Sequence, residues 1–266
     1  MSGVDTIGFR RACRAEWTKL RTEAGHGWLL LGLVLVTVGV GAAVSASVPC
    51  PASGCGQDQV RLSLAGVSVS QVLAAVTAVL LVGGEYGTGL IRTTLVALPR
   101  RGTVLAAKAT VLSGTVLAVG SVAVLASILA GHLLLPGAGY TPAHGYTQLS
   151  LADGPTLRAA AGSVLYLVLV GLLTLGVAVA VRDAAVAAGA VLALLYLFPL
   201  LSHVVTEPHL QRLLARLGPM PAGLAIQATT NLSHLPIGPW AGLGVLALWA
   251  ATALFLGGTI LRLRDA

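Results

Sequence analysis

Six histidines, three cysteines and nine carboxylates are the whole stock from which this chain of 266 residues could build a metal, acid–base or nucleophilic centre. The histidines (His26, His132, His144, His203, His209 and His234) are scattered, and neither an HExxH nor a paired CxxC spacing brings ligands to one ion. His132 and His203 fall near the ends of apolar runs and read as interfacial residues. Ser163 stands in AAGSVL, outside a GxSG setting, with no histidine placed to activate it. A GxxxxGK[ST] phosphate loop is absent, since neither Lys19 nor Lys108 follows a glycine. The expectation is a chain that is not itself an enzyme and holds no metal or cofactor.

The cysteines sort by position. Cys13 lies in a basic N-terminal stretch, whereas Cys50 and Cys55 share the short loop VPCPASGCGQ between two apolar runs. Two readings of that pair are open: a small disulfide pinning the loop, or two free thiols.

The elements that must position these groups are set by composition. Hydrophobic residues make up 56% and charged residues 9%, with a mean hydropathy of +0.90, far from the roughly 25% charge of soluble domains. Six charge-poor windows, at about 28–48, 62–83, 109–135, 159–181, 184–206 and 237–261, are each long enough to cross some 30 Å of hydrocarbon as a helix. They are continuous and too long for the alternating strands of a transmembrane barrel, and helices satisfy the backbone in lipid. The expected fold is therefore an all-α integral membrane protein with one transmembrane domain over 1–266. The first apolar run begins late and is too long for a signal-peptide core, so it reads as a retained span.

Basic residues fix the expected orientation. With the N-terminus inside, Arg10, Arg11, Arg14, Lys19, Arg21, Arg92, Arg100, Arg101, Lys108, Arg182, Arg262 and Arg264 are cytoplasmic, against Arg61, Arg158, Arg212 and Arg216 outside. Both termini are then cytoplasmic, in a cell membrane, and the net charge of +7 reads as a topology signal instead of a nucleic-acid footprint. Fourteen Arg to two Lys, with abundant alanine, suggest a GC-rich genome and a bacterial source.

Ahead of the first span, residues 5–24 form an amphipathic pattern. Phe9, Cys13, Trp17 and Leu20 share a face flanked by Arg10, Arg14 and Arg21, as in a helix lying in the membrane interface. Glu16 intrudes on the apolar side, where it either meets a partner charge or stays solvated on a slightly rotated helix.

Between the second and third windows, GGEYGTGLIRTTLVALPRRGTVLAAK gathers Arg92, Arg100, Arg101 and Lys108. Thr88 can cap a short helix that Pro99 ends, with Ile91, Leu95 and Leu98 in one stripe. Such a helix can lie on lipid or dock into a partner's groove. Further on, 207–236 reads as short helices broken at Gly218, Pro219 and Pro221, with Leu210, Leu213, Leu214 and Leu217 on one face.

The stretch EYGTGLIRTTLVALPRRGTVLAAK resembles the first cytoplasmic loop of exporter-type permease subunits of ATP-binding-cassette (ABC) transporters. RAEWTKLRT resembles that family's lead-in helix, VRDAAVAAGAVLALL its fourth-to-fifth span junction, and LGPMPAGLAIQ, GPWAGL and LRLRDA its last outer loop and sixth span. The resemblance implies a six-span subunit working with a second permease copy or paralogue in the lipid bilayer and with ATPase subunits that bind the ATP and Mg. It implies that the short helix is a coupling helix, with Glu85, Tyr86, Thr88, Ile91, Arg92, Thr93, Thr94, Leu95, Arg100 and Arg101 at the ATPase interface.

Two rivals belong to other classes. An intramembrane enzyme would need catalytic pairs inside the spans, whose interiors are nearly free of acids. A gradient-driven carrier without an ATPase would couple through membrane-embedded Asp, Glu or His, which the window centres lack. The apolar span interiors suit a hydrophobic or amphipathic cargo.

Overall fold

The computed structural model describes residues 3–50, 56–87, 101–146 and 149–263, with side chains described from residue 7 and, in the second stretch, up to residue 84. Among the described residues every regular element is helical: α1 (Gly3–Thr22), α2 (Ala24–Ser47), α3 (Gln59–Ser63), α4 (Val67–Gly87), α5 (Arg101–Leu134), α6 (Gly154–Val181), α7 (Ala184–Val204), α8 (Pro208–Leu217), α9 (Pro219–Leu224) and α10 (Pro239–Leu263), with short 3-10 turns between some of them. Six of these, α2, α4, α5, α6, α7 and α10, are long and apolar enough to cross a membrane. The chain therefore has an all-α, membrane-type fold. We call the end of the bundle that carries α1 and the last turn of α10 the terminal end, and the opposite one the distal end.

Helix α6 is the hub. Two thirds of its most apolar window is buried, 67%, against 17–22% for α2, α7 and α10, and it packs most extensively on α10, then on α4 and α5. Small residues let these backbones meet, as in other helix contacts that lack a hydrophobic drive in lipid. A Cβ added at Gly176 of α6 would lie 2.4 Å from the Ala253 carbonyl carbon of α10. The outward faces of α2, α7 and α10 carry Leu35, Leu200, Leu248 and Phe255, all more than half exposed, which is the surface a bilayer would cover.

Two windows differ from their sequence reading. The expected third span at 109–135 is a helix that already starts at Arg101. Its 34 residues make it about 51 Å long at ~1.5 Å per residue, some 20 Å more than a hydrocarbon core. Arg101 and Lys108 therefore belong to the helix itself, because partners from other helices satisfy both charges. The expected second span at 62–83 is split at Leu64–Gly66 into α3 and α4. Asp58 caps α3 by accepting from the Val60 and Arg61 amides at 3.1 and 3.3 Å. Gly66 lets the corner press on α2, since a Cβ there would sit 2.1 Å from the Thr37 carbonyl oxygen. Ser127 of α5 closes the same crossing by donating to the Ser63 carbonyl at 2.6 Å.

The segment after α7 leaves and re-enters the bundle. Helix α8 is amphipathic and surface-borne, with Leu210, Leu213 and Leu217 exposed. The break expected at Gly218 and Pro219 is present, while Pro221 lies inside α9, in its first turn where a missing N–H is tolerated. Residues 219–227 then insert among α6, α7 and α10. Gly223 abuts the Tyr166 ring near the middle of α6, where an added Cβ would be 2.7 Å from it, so the short helix α9 reaches the level of the middle of α6, walled by protein.

Candidate functional site

At the terminal end, α1 lies across the start of α5. The residues it buries are Ala12, Glu16 and Leu20, spaced at one helical face. Trp17, one step of about 100° away, is 52% exposed, and Phe9 is half-buried. The expected Phe9–Cys13–Trp17–Leu20 face is thus rotated: Glu16 sits at the centre of the packed side, and Trp17 looks outward. Rotation is what the ion pairs require.

Glu16 is 3% exposed and has two cations. Lys108 Nζ of α5 donates to its Oε2 at 2.9 Å, and Lys19 Nζ, one turn along α1, reaches Oε1 at 3.1 Å. A buried carboxylate on an apolar face is tolerable only with such compensation. Lys108 also donates to the Leu81 carbonyl of α4 at 3.1 Å. One ammonium therefore ties α1, α4 and α5 together. Nearby, Arg101 Nη1 donates to the Leu261 carbonyl in the last turn of α10 at 2.7 Å, where a helix C-terminus offers free carbonyls to a cation.

These ties bear on the segment between α4 and α5. The expected interface residues Thr88, Ile91, Arg92, Thr93, Thr94, Leu95 and Arg100 lie outside the described residues, and the side chains of Glu85 and Tyr86 are outside them too. What the structure does describe is both stems: α4 running to Gly87 and α5 starting at Arg101. Lys108 joins the stems to each other and to α1, and Arg101 joins the second stem to α10.

The thiol of Cys13, half-buried beside this cluster, is pushed above its usual value by burial and then by the Glu16 carboxylate. Cys13 is free. Cys50 is disulfide-bonded, and Cys55 lies outside the described residues.

The distal half holds a second polar set. The Asp58 carboxylate, besides capping α3, accepts from Thr229 N at 2.5 Å, Thr229 Oγ1 at 2.8 Å and Thr230 N at 3.1 Å. Arg158, in the first turn of α6, donates to the adjoining Ala228 carbonyl at 2.5 Å. Deeper, Gln227 Nε2 donates to Ser163 Oγ at 3.1 Å, so that hydroxyl supports the inserted segment. Tyr166 donates its hydroxyl to Gln71 Oε1, and Gln71 Nε2 in turn reaches Met220 Sδ at 3.2 Å. An acid, a base and three neutral groups thus hold residues 220–230 in place.

Sequence reasoning placed Glu16 among the residues of interest and missed the roles of Lys108, Asp58, Gln71, Tyr166 and Gln227. A usable signal existed for Gln71 alone, an amide inside an apolar window, since a polar group there needs a partner. His132 and His203 each place Nδ1 2.7 Å from a backbone carbonyl, of Leu149 and Pro199 respectively, to which a ring N–H donates. Among the described residues no three His, Cys, Asp or Glu side chains converge as metal ligands would. No family model matches this sequence, and no curated protein matches it either.

Proposed function

We propose that this chain is the membrane-spanning permease subunit of an ATP-driven exporter, working with a separate ATPase that binds ATP and Mg and with a second permease copy or paralogue. The observation that carries the reading is the Lys108 tie. A short basic segment that receives a push from a soluble partner can move the bundle only if its stems move as one body with their neighbours. Lys108 binds Glu16 of α1 and the Leu81 carbonyl of α4 from its place on α5, which supplies that stiffness at the base of residues 88–100. The apolar character of the spans favours a hydrophobic or amphipathic cargo. In this reading Arg92 and its neighbours, with Glu85, Tyr86 and Arg100, contact the ATPase, and Arg101, at the start of α5 and bonded to α10, backs them.

Arg92→Glu is the test. It should leave membrane insertion and yield unchanged while abolishing co-purification of the ATPase; undiminished co-purification with an inserted variant would overturn the docking role.

One observation favours a second reading, a gradient-driven carrier: Glu16–Lys108 is a buried ionisable pair at a bundle end, the kind of group through which ions or protons couple to transport. Cargo movement that collapses with the ion gradient while ATP is held constant would favour the carrier, and the opposite dependence the exporter.

A further inference from the structure

The distal end contains a cleft of about 400 Å³, of a size typical for small-molecule sites. Its walls come from the start of α3, the loop before α6, and Thr229 and Thr230 beyond the inserted segment. The Asp58 bonds that anchor Thr229 and Thr230 give it one fixed wall. Tyr146 gives a second: its ring meets Tyr140 edge-on at 5.1 Å and 71°, and its hydroxyl donates to the Gln57 carbonyl at 3.4 Å.

The chemistry of the lining is one-sided. Among the described residues, Asp153 is its one ionisable carboxylate and no Lys, Arg or His lines it. The nearest arginine on the same helix, Arg158, is turned to the Ala228 carbonyl. Asp153 precedes α6 at the N-cap position, yet its side chain makes no capping hydrogen bond and pairs with no cation among the described residues. The carboxylate is therefore uncommitted at the mouth of a cleft that also offers an aromatic ring, the amides of Gln57 and Gln59 and the hydroxyls of Thr156 and Thr229. Anions find no counter-charge there. A small ammonium would find a carboxylate and an aromatic ring, two groups that attract cations, and hydroxyls on the same molecule would find amide and threonine partners.

We propose that this cleft is a binding site for a small hydroxylated ammonium compound, held by Asp153 and the Tyr146 ring. The proposal is independent of the transport reading. The test uses the full chain in nanodiscs with choline as probe and glucose as the neutral control, read by calorimetry. Choline should bind saturably and glucose should not. Asp153→Asn, which keeps a residue suited to an N-cap, should weaken choline at least tenfold with the melting temperature unchanged. Tyr146→Phe should retain binding and Tyr146→Ala should weaken it. If ethanolamine lipid in the disc competes with choline, the occupant is a lipid headgroup; if discs with and without it behave alike, it is a free solute. No choline binding, equal binding of glucose, or an affinity unchanged in Asp153→Asn would overturn the proposal.

Discussion

The two ends of the bundle are held by different chemistry. At the terminal end, α1, α4 and α5 meet at one ammonium, Lys108, whose partners are a buried carboxylate and a backbone carbonyl. At the distal end, residues 220–230 are held at separate points by Asp58, Arg158, Ser163 and Gln71, with Tyr166 backing Gln71. The first arrangement is concentrated and charged, so losing Lys108 leaves the buried Glu16 carboxylate with Lys19 alone. The second is distributed, so its members can be lost one at a time. A concentrated tie suits an end that moves as a unit, and a distributed one suits a plug that stays put.

That contrast is most sharply broken at Lys108. Lys108→Met should lower stability by about 3 kcal/mol, the lower part of the range for removing one partner of a buried pair, because Lys19 still faces Glu16. The double variant Glu16→Met/Lys108→Met should recover most of that loss, since no charge is then left buried. Chemical denaturation in detergent reads both, and a double variant as weak as the single one would show that the tie is not electrostatic.

Asp58→Ala comes next. It removes the charged acceptor of five hydrogen bonds and should cost about 2–3 kcal/mol. Unlike the loss at Lys108, this one should loosen only the distal segment, as faster amide hydrogen exchange at Thr229 and Thr230. Uniform acceleration across the bundle would erase the distinction between the ends.

Much of the fold is legible from the chain alone, and the reason is local. A span needs only an uninterrupted apolar window, so all six are visible, and a glycine before a proline marks the break between α8 and α9. Glu16 is legible as a carboxylate on an apolar face, but its partner is not. Lys108 is 92 residues away, beyond any periodicity, and beside Arg100 and Arg101 it looks like one more topology charge. The same holds for Asp58 and Thr229, 171 residues apart. The rotation of α1 follows from the pair as well: a pattern of large apolar residues selects Trp17, while the geometry of the tie selects Glu16.

A smaller effect should follow from Tyr166→Phe, which removes one neutral hydrogen bond to Gln71 and should cost about 1 kcal/mol while Gln71 keeps its bonds to Ser68 and Met220. A loss as large as that at Lys108 would mean that the distal set is cooperative instead of distributed.

The smallest effect is in reactivity. Because burial and the Glu16 carboxylate raise the Cys13 thiol, the reactive thiolate forms at higher pH than in an unperturbed cysteine. In a Cys50→Ser/Cys55→Ser background, maleimide labelling of Cys13 should be slow at neutral pH and rise with a midpoint above the ordinary thiol value. A midpoint at or below that value would show that neither burial nor the Glu16 carboxylate raises the thiol.

The role proposed for the terminal end requires that it answer to an ATPase. The direct measurement is ATP hydrolysis by the assembly purified from native membranes through a tag on this chain. Magnesium-dependent hydrolysis that accompanies the wild-type chain and is lost with inserted Arg92→Glu is the predicted result. A wild-type assembly that hydrolyses no ATP, or one whose hydrolysis survives Arg92→Glu unchanged, would contradict it.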